Sequence, residues 1–321
     1  MGVDQHFEHT ELIASGTNAL KPDRFGFSLA LKNGWLAVGA PRDDESAQDA
    51  GAVYLYQRIA LTNGNLSFVE MQKLLPPDPQ PEGRFGEALA MPGSRLFVGS
   101  PGVEEPGEWN RGRVYVYERV KTNWVLIGQM QRPVGSAAEF GIEVAANENW
   151  MVAGSRFSNA SSNLTDRVAV QPHLSPYAMW AAYHGLEGAS AVPSADSDGD
   201  GADNGAEYAY RLNPQHADAL PLDPQGGTSG LPSVRWVREE AGAFIEITRL
   251  QHRHPVLMGL SYATEVSADL ISWTPAEILS SGVASINNEW ERVTLRFAGR
   301  TSEAQLFYRI KVGIQMEGGL P

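Results

Sequence analysis

The sequence predicts a mainly β protein: repeated short-stranded sheets, a short helical segment around an acidic loop, and a C-terminal antiparallel β-sandwich. Three observations carry this. Phe-Gly pairs recur at Phe25-Gly26, Phe85-Gly86 and Phe140-Gly141, at intervals of 60 and 55, and Gly39, Gly99 and Gly154 keep those intervals. Val53 to Tyr56 and Val114 to Tyr117 alternate with period two, the pattern of a strand. Gly (33) and Pro (20) are abundant while charged residues are only 20%, which is a turn-rich profile.

The first repeat reads as four strands, FSLAL, WLAVGA, AVYLYQR and LSFVEMQKL. Asn33-Gly34 and, in the second repeat, Pro92-Gly93-Ser94 are tight turns between the first two strands. Four short strands recurring at this period describe a β-propeller blade. Phe-Gly, Val38-Gly-Ala-Pro41 and Gly51-Ala-Val-Tyr54 resemble the FG-GAP repeat of the integrin α-subunit propeller and of many exported bacterial proteins. The likeness covers residues 1–170 and implies about three blades. The third is degraded, with Val152-Ala-Gly-Ser155 and a short final strand Arg167-Val-Ala-Val170. The calcium-binding blades of that family carry an acid-rich loop between their first two strands. Here that loop is two or three residues long and has no carboxylate, so no metal is carried over to the blades. The acids of Arg42 to Asp49 lack ligand spacing and read as solvated surface.

Three blades fall short of the usual 4–8 of a closed propeller. Glu8 to Ser15 looks like the last strand of a preceding blade. The expectation is that upstream blades and a signal peptide lie outside this chain; the alternative is that this strand pairs with the strand-poor third repeat. Open blade edges offer unpaired N–H and C=O groups, so self-association through them is expected.

Residues 171–213 read as helix, calcium loop, helix. Ser175-Pro176 is a helix start, Gly185 a stop, and Tyr177, Trp180, Ala181 and His184 share a face. Asp196, Asp198, Asp200, Gly201 and Glu207 then fit the EF-hand pattern D-x-D-x-D-G-x5-E. The expected Ca²⁺ ligands are Asp196, Asp198, Asp200, the Ala202 carbonyl, Asn204 and a bidentate Glu207. So many acids in so few residues repel one another without a hard counter-ion. The loop resembles those of dockerins and thrombospondin type 3 repeats. It also resembles a module of exported bacterial proteins, through Trp180, His184-Gly-Leu186, Asp196 to Tyr208 and Leu212-Asn-Pro214. Asp203 stands where a paired EF-hand has an apolar strand residue, which implies a lone structural site. Gly205 is expected to weaken the exit helix. The ion would tie the two helices together and set the angle between propeller and sandwich.

Residues 214–232, rich in Pro, Gly, Asp and Ser, read as a linker. Residues 233–321 read as a small antiparallel β-sandwich with strands VRWVRE, AFIEITRL, LMGLSYATEVS, WERVTLRFA and LFYRIKVG. Thr264 to Trp273 and Leu306 to Val312 again resemble the terminal domain of exported bacterial proteins.

The composition excludes several functions. A formal charge of −13 is wrong for nucleic acid or an anionic membrane surface. With no cysteine there are no disulfides, zinc–thiolate sites or cysteine nucleophiles. No apolar run reaches the ~20 residues of a transmembrane helix. There is no GxSxG, HExxH, P-loop or strand-following GxGxxG, so no enzyme is read. His252-x-His254 and the sequons at Asn65, Asn159 and Asn163 read as incidental surface features, and Trp109 as loop packing. The reading is a non-catalytic, extracellular or cell-surface, calcium-binding adhesion scaffold for a protein or polysaccharide ligand. The alternative is the carbohydrate- or surface-attachment tail of a larger secreted hydrolase.

Overall fold

The computed structural model describes residues 11–13, 23–60, 66–105, 111–132, 138–156, 167–240, 242–298 and 306–316. The chain divides into two compact units, 1–173 and 174–321.

The first unit is a run of antiparallel sheets. Blade 1 is β1 (Ser28–Lys32), β2 (Trp35–Ala40), β3 (Ala52–Ala60) and β4 (Leu66–Leu74), in that spatial order. Blade 2 repeats it with β5 (Ala88–Ala90), β6 (Arg95–Ser100), β7 (Arg113–Val120) and β8 (Asn123–Gln131). Blade 3 has β9 (Val144–Ala146), β10 (Trp150–Ser155) and β11 (Arg167–Pro172), and no fourth strand among the described residues. Of Glu8 to Ser15, only residues 11–13 are described. Asn33 (φ 51°) and Gly34 (φ 77°) take the left-handed conformation that a two-residue hairpin turn requires. β3 and β7 both shift register one residue before their second Tyr, at Leu55/Tyr56 and Val116/Tyr117, so the bulge is part of the repeat.

The recurring Phe-Gly has a packing reason. Phe85 and Phe140 are fully buried and bridge in parallel to Gly51 and Gly112 of the blade before. Phe85 meets Tyr115 edge-on at 5.5 Å. A Cβ on Gly39 would lie 2.1 Å from the Gly86 carbonyl oxygen, and one on Gly99 would lie 2.0 Å from that of Gly141. Blades therefore touch backbone to backbone at each Phe-Gly, where no side chain fits. Around the first contact Trp35, Leu55, Leu96, Val98, Tyr115 and Trp124 form a shared core, with Trp35 and Trp124 edge-to-face at 5.7 Å. Gln72 joins the outer strands, donating to the Trp124 carbonyl (3.1 Å) and accepting from its N–H (2.7 Å).

The acidic loop after β2 departs from expectation. Asp43 is buried, not solvated. It accepts from the Tyr54 hydroxyl (2.9 Å) and from Lys73 Nζ (2.7 Å), and Lys73 also reaches Glu45 (2.6 Å). Asp44 is engaged too, accepting from the Asp49 N–H at 2.7 Å.

The second unit joins helical segment and sandwich. α1 (Pro176–Tyr183), a 3-10 turn (Gly188–Ala191) and α2 (Asn204–Tyr210) precede β12 (Ser233–Glu239), β13 (Gly242–His252), β14 (Leu260–Ser267), β15 (Thr274–Pro275), β16 (Ser280–Ser285), β17 (Trp290–Ala298) and β18 (Phe307–Ile314). The sheets are β12-β13-β17-β16 and β15-β14-β18. Ile245, Ile247, Val293, Leu295 and Phe297 form the core, with Tyr308 and Ile310 packed against it. The exposed Ser280–Ser285 strand carries no apolar alternation, so the sequence did not announce it.

Two expectations are corrected. Residues 214–232 are not a free linker: Leu222 is buried, donates to the Leu231 carbonyl at 2.7 Å, and joins a core with Tyr177, Tyr208, Leu250 and Leu260. That core makes helices, linker and sandwich one unit, so an ion in the loop would act inside it. His252 is buried, with its ring edge-on to Trp290 at 5.4 Å and Nδ1 accepting from the His254 N–H at 3.1 Å. Burial, and next the neighbouring His254, push its pKa down to about 4, so it is a neutral core residue. Asn65, Trp109, Asn159 and Asn163 lie outside the described residues.

Candidate metal centre

α1 begins where Ser175 accepts from the Ala178 N–H at 3.2 Å and Pro176 takes the first helical position. It ends at Gly185, with φ 68°. Its predicted face is real. Trp180 lies 5.5 Å from Tyr177, 5.0 Å from His184 and 5.5 Å from Tyr208 of α2, ring centre to ring centre. This aromatic cluster holds the helices together and leaves the intervening loop to close over its acids.

The loop turns at Gly199 (φ 79°) and Gly201 (φ 95°), where open space surrounds both α-carbons; the conformation alone calls for glycine. Ligand oxygens of Asp196, Asp198 and Asp200 come within 4.8 Å of one another. Backbone N–H groups orient them. Asp196 accepts from Gly199 (2.8 Å) and Gly201 (3.1 Å), and Asp198 accepts from Asp200 (3.1 Å). Asp200 accepts from Ala202 (2.9 Å), Asp218 (2.8 Å) and Ala219 (2.7 Å). Those three N–H groups, the Ala202 one first, hold the Asp200 carboxyl below its usual range despite some desolvation.

Glu207, one turn into α2, is fully buried, and neither carboxylate oxygen has a hydrogen-bond partner. Burial first, then Asp198, Asp200, Asp218 and Asp196, push its pKa up to about 8. Asp198 Oδ2 is likewise buried and unpartnered. Among the described residues no Lys or Arg forms a salt bridge with any of these acids. Unpaired buried carboxylate oxygens facing three more carboxylates are costly unless a cation completes the set, so the residues present fit a hard, oxygen-binding metal.

Asn204, the expected position-9 contact, is fully buried. Its amide donates to the carbonyls of Ser190 (2.7 Å) and Val192 (3.0 Å), and its oxygen accepts from Ser197 Oγ (3.1 Å). It pins the incoming segment of the loop. Asp203 caps α2, accepting from the Ala206 N–H at 2.8 Å, which explains an acid at that position. A Cβ on Gly205 would sit 2.9 Å from Ile314 Cδ1, the far end of its side chain, and 3.3 Å from the Pro193 carbonyl oxygen, so a larger residue asks its neighbours to shift. Asp218 was missed because it lies beyond the twelve-residue pattern; the Asn-Pro stop at 213–214, which turns the chain back, was the available signal. Ala202, at position 7, is buried.

The described residues define a class, a mainly β protein with a partial propeller and a β-sandwich. Residues 7–56 and 68–117 match the FG-GAP repeat family, which gives two repeats. No curated protein matches the chain. Solved structures similar to it include MPT-4, a mannose phosphorylase from Leishmania mexicana in complex with phosphate ion. That likeness is 10% identical and covers 76% of this chain and 57% of that one, with a TM-score of 0.24. A Trypanosoma rangeli sialidase in complex with sialic acid is another, 11% identical over 85% of this chain and 54% of that one, with a TM-score of 0.25. The chain thus spans little more than half the length of each, and at these scores neither likeness carries an argument. Among the described residues no helix is long and apolar enough to cross a membrane.

Proposed function

We propose that this chain is a calcium-binding, non-catalytic recognition scaffold of the extracellular or cell-surface kind, with blades presenting loops to a protein or polysaccharide ligand. The observation that carries the calcium part is Glu207, a fully buried carboxylate with both oxygens unpartnered beside the loop acids. The proposed ligands are Asp196, Asp198, Asp200, Glu207 and the Ala202 carbonyl, with Asp218 adding charge. FG-GAP repeats support the recognition role and the outside location, where calcium is plentiful. Lone extracellular loops of this type bind at about 10⁻⁴–10⁻³ M.

Calorimetric titration tests the metal. The wild type is expected to take up one Ca²⁺ and to bind Mg²⁺ poorly, because Mg²⁺ demands a tighter octahedron. At ~100 times Kd, calcium adds about 2.7 kcal/mol to the stability of residues 174–321. Glu207→Gln is expected to abolish uptake while stabilising the calcium-free protein, since it removes a buried carboxyl that folding must hold protonated or leave as an unpaired charge. Undiminished uptake by Glu207→Gln, or none by the wild type at millimolar calcium, overturns the assignment.

A further inference from the structure

Blade 3 displays a face that blades 1 and 2 keep covered. The register makes the positions equivalent: Gly39 pairs Val53, Gly99 pairs Val114 and Gly154 pairs Val168. Val53 and Leu55 are 0% exposed and Trp35 is 3%, all against blade 2. Their counterparts Val168, Val170 and Trp150 are 65%, 62% and 49% exposed. At the other end, Phe27 and, on β1, Leu29 and Leu31 are exposed, whereas Leu89 and Met91, the counterparts of Leu29 and Leu31, pack in the core between blades 1 and 2.

The glycines mark the same two vacancies. Gly39 and Gly99 each abut the carbonyl of a following Phe-Gly turn, at Gly86 and Gly141. Gly154 is the third of the series, and its nearest neighbour in the Cβ direction is Glu143 Cβ at 3.7 Å. Gly26 shares the conformation of Gly86 and Gly141 (φ 89°, 89° and 85°), and a Cβ there meets nothing within 4 Å. Among the described residues, one end has a Phe-Gly turn with no blade against it. The other has a receiving glycine with no turn.

We infer that these are the two halves of one interface, already present twice within the chain, and that they join blade 3 of one copy to blade 1 of a second copy, head to tail. Two copies offer six blades, a number within the closing range, and such a heterologous contact then forms a closed ring. Blade 3 has no fourth strand among the described residues, and residues 11–13 carry no strand of their own. Leu12 already packs on the outer core of blade 1, beside Phe25 and Phe68. The contact is between blade faces, where the sequence suggested blade edges.

Sedimentation equilibrium of the full chain is expected to show a dimer of twice the chain mass and no larger species. Gly154→Trp, which fills the receiving position, and Leu29→Asp/Leu31→Asp, on the opposite face, are each expected to give a monomer that melts as the wild type does. A monomeric wild type, a ladder of larger species, or a dimer that survives both variants overturns the ring. Should either variant fail to fold, hydrogen exchange of the wild type decides. β1 and β11 amides are expected to be protected at high concentration and to lose that protection on dilution; protection independent of concentration overturns the proposal.

Discussion

The two acidic loops, Asp43 to Asp49 and Asp196 to Glu207, solve the same electrostatic problem differently. Each brings several carboxylates together and buries one of them, Asp43 in the first and Glu207 in the second. Asp43 has the Lys73 ammonium at 2.7 Å and the Tyr54 hydroxyl at 2.9 Å, so its counter-charge is part of the chain. Lys73 also lies 4.9 Å from the centre of the Tyr54 ring, which fixes the ammonium from a third side. Glu207 has no such partner, and its nearest charges are further acids. Acid content therefore does not make a metal site. The proposed site rests instead on a buried carboxylate without a protein cation.

Three measurements press on that contrast, besides the calcium titration. The largest effect is expected from Lys73→Met, which leaves Asp43 buried without its counter-charge. Breaking a buried pair in this way costs about 3–5 kcal/mol, and denaturant unfolding of the blade unit should show the loss equally with and without calcium. A calcium-dependent loss would mean that the first loop, too, holds a cation.

The next concerns pH. His252 is pushed down to about 4 by burial and then by His254, and His184 to about 4 by burial alone. Each is neutral when folded, so its contribution is complete above pH ~6.5, the unfolded value, and is lost as pH falls toward 4. For His252 this amounts to about 3 kcal/mol between pH 6.5 and 4. Calcium-free Glu207, raised to about 8, has the opposite slope, losing stability as pH rises from its ordinary 4.5 toward 8. Saturating calcium holds Glu207 ionised and should expose the histidine slope, which His252→Met should flatten. An unchanged slope in that variant would place the titration elsewhere.

The smallest effect separates an acid that caps from an acid that binds. Asp203→Ala removes the N-cap of α2 and is expected to cost about 1 kcal/mol, with calcium uptake intact by calorimetry. Lost uptake would make Asp203 a ligand.

Much was legible from residue order alone. The Phe-Gly period is a local signal with a strong packing cause, since only glycine allows backbones to meet at Gly39 and Gly86, and it survived in blade 3 after most of the motif had decayed. The clustering of the loop acids was legible because Asp196, Asp198 and Asp200 lie at set offsets in one short turn, where the fold brings their oxygens within 4.8 Å of one another. What the tertiary structure alone decided is which of these groups is free. Asn204 stands at a ligand position of the pattern and Asp203 is the acid beside it, but one pins the loop and the other caps a helix. Asp43 looked like a surface acid until Lys73, thirty residues on, closed on it. His252 became a core residue through Trp290, its partner across β13 and β17. Asp218 enters the site from beyond the motif, and Leu222 draws an apparent linker into a core. Burial and hydrogen-bond partnership depend on residues distant along the chain, so composition and spacing nominate candidates, and the folded neighbourhood determines the charge and role of each.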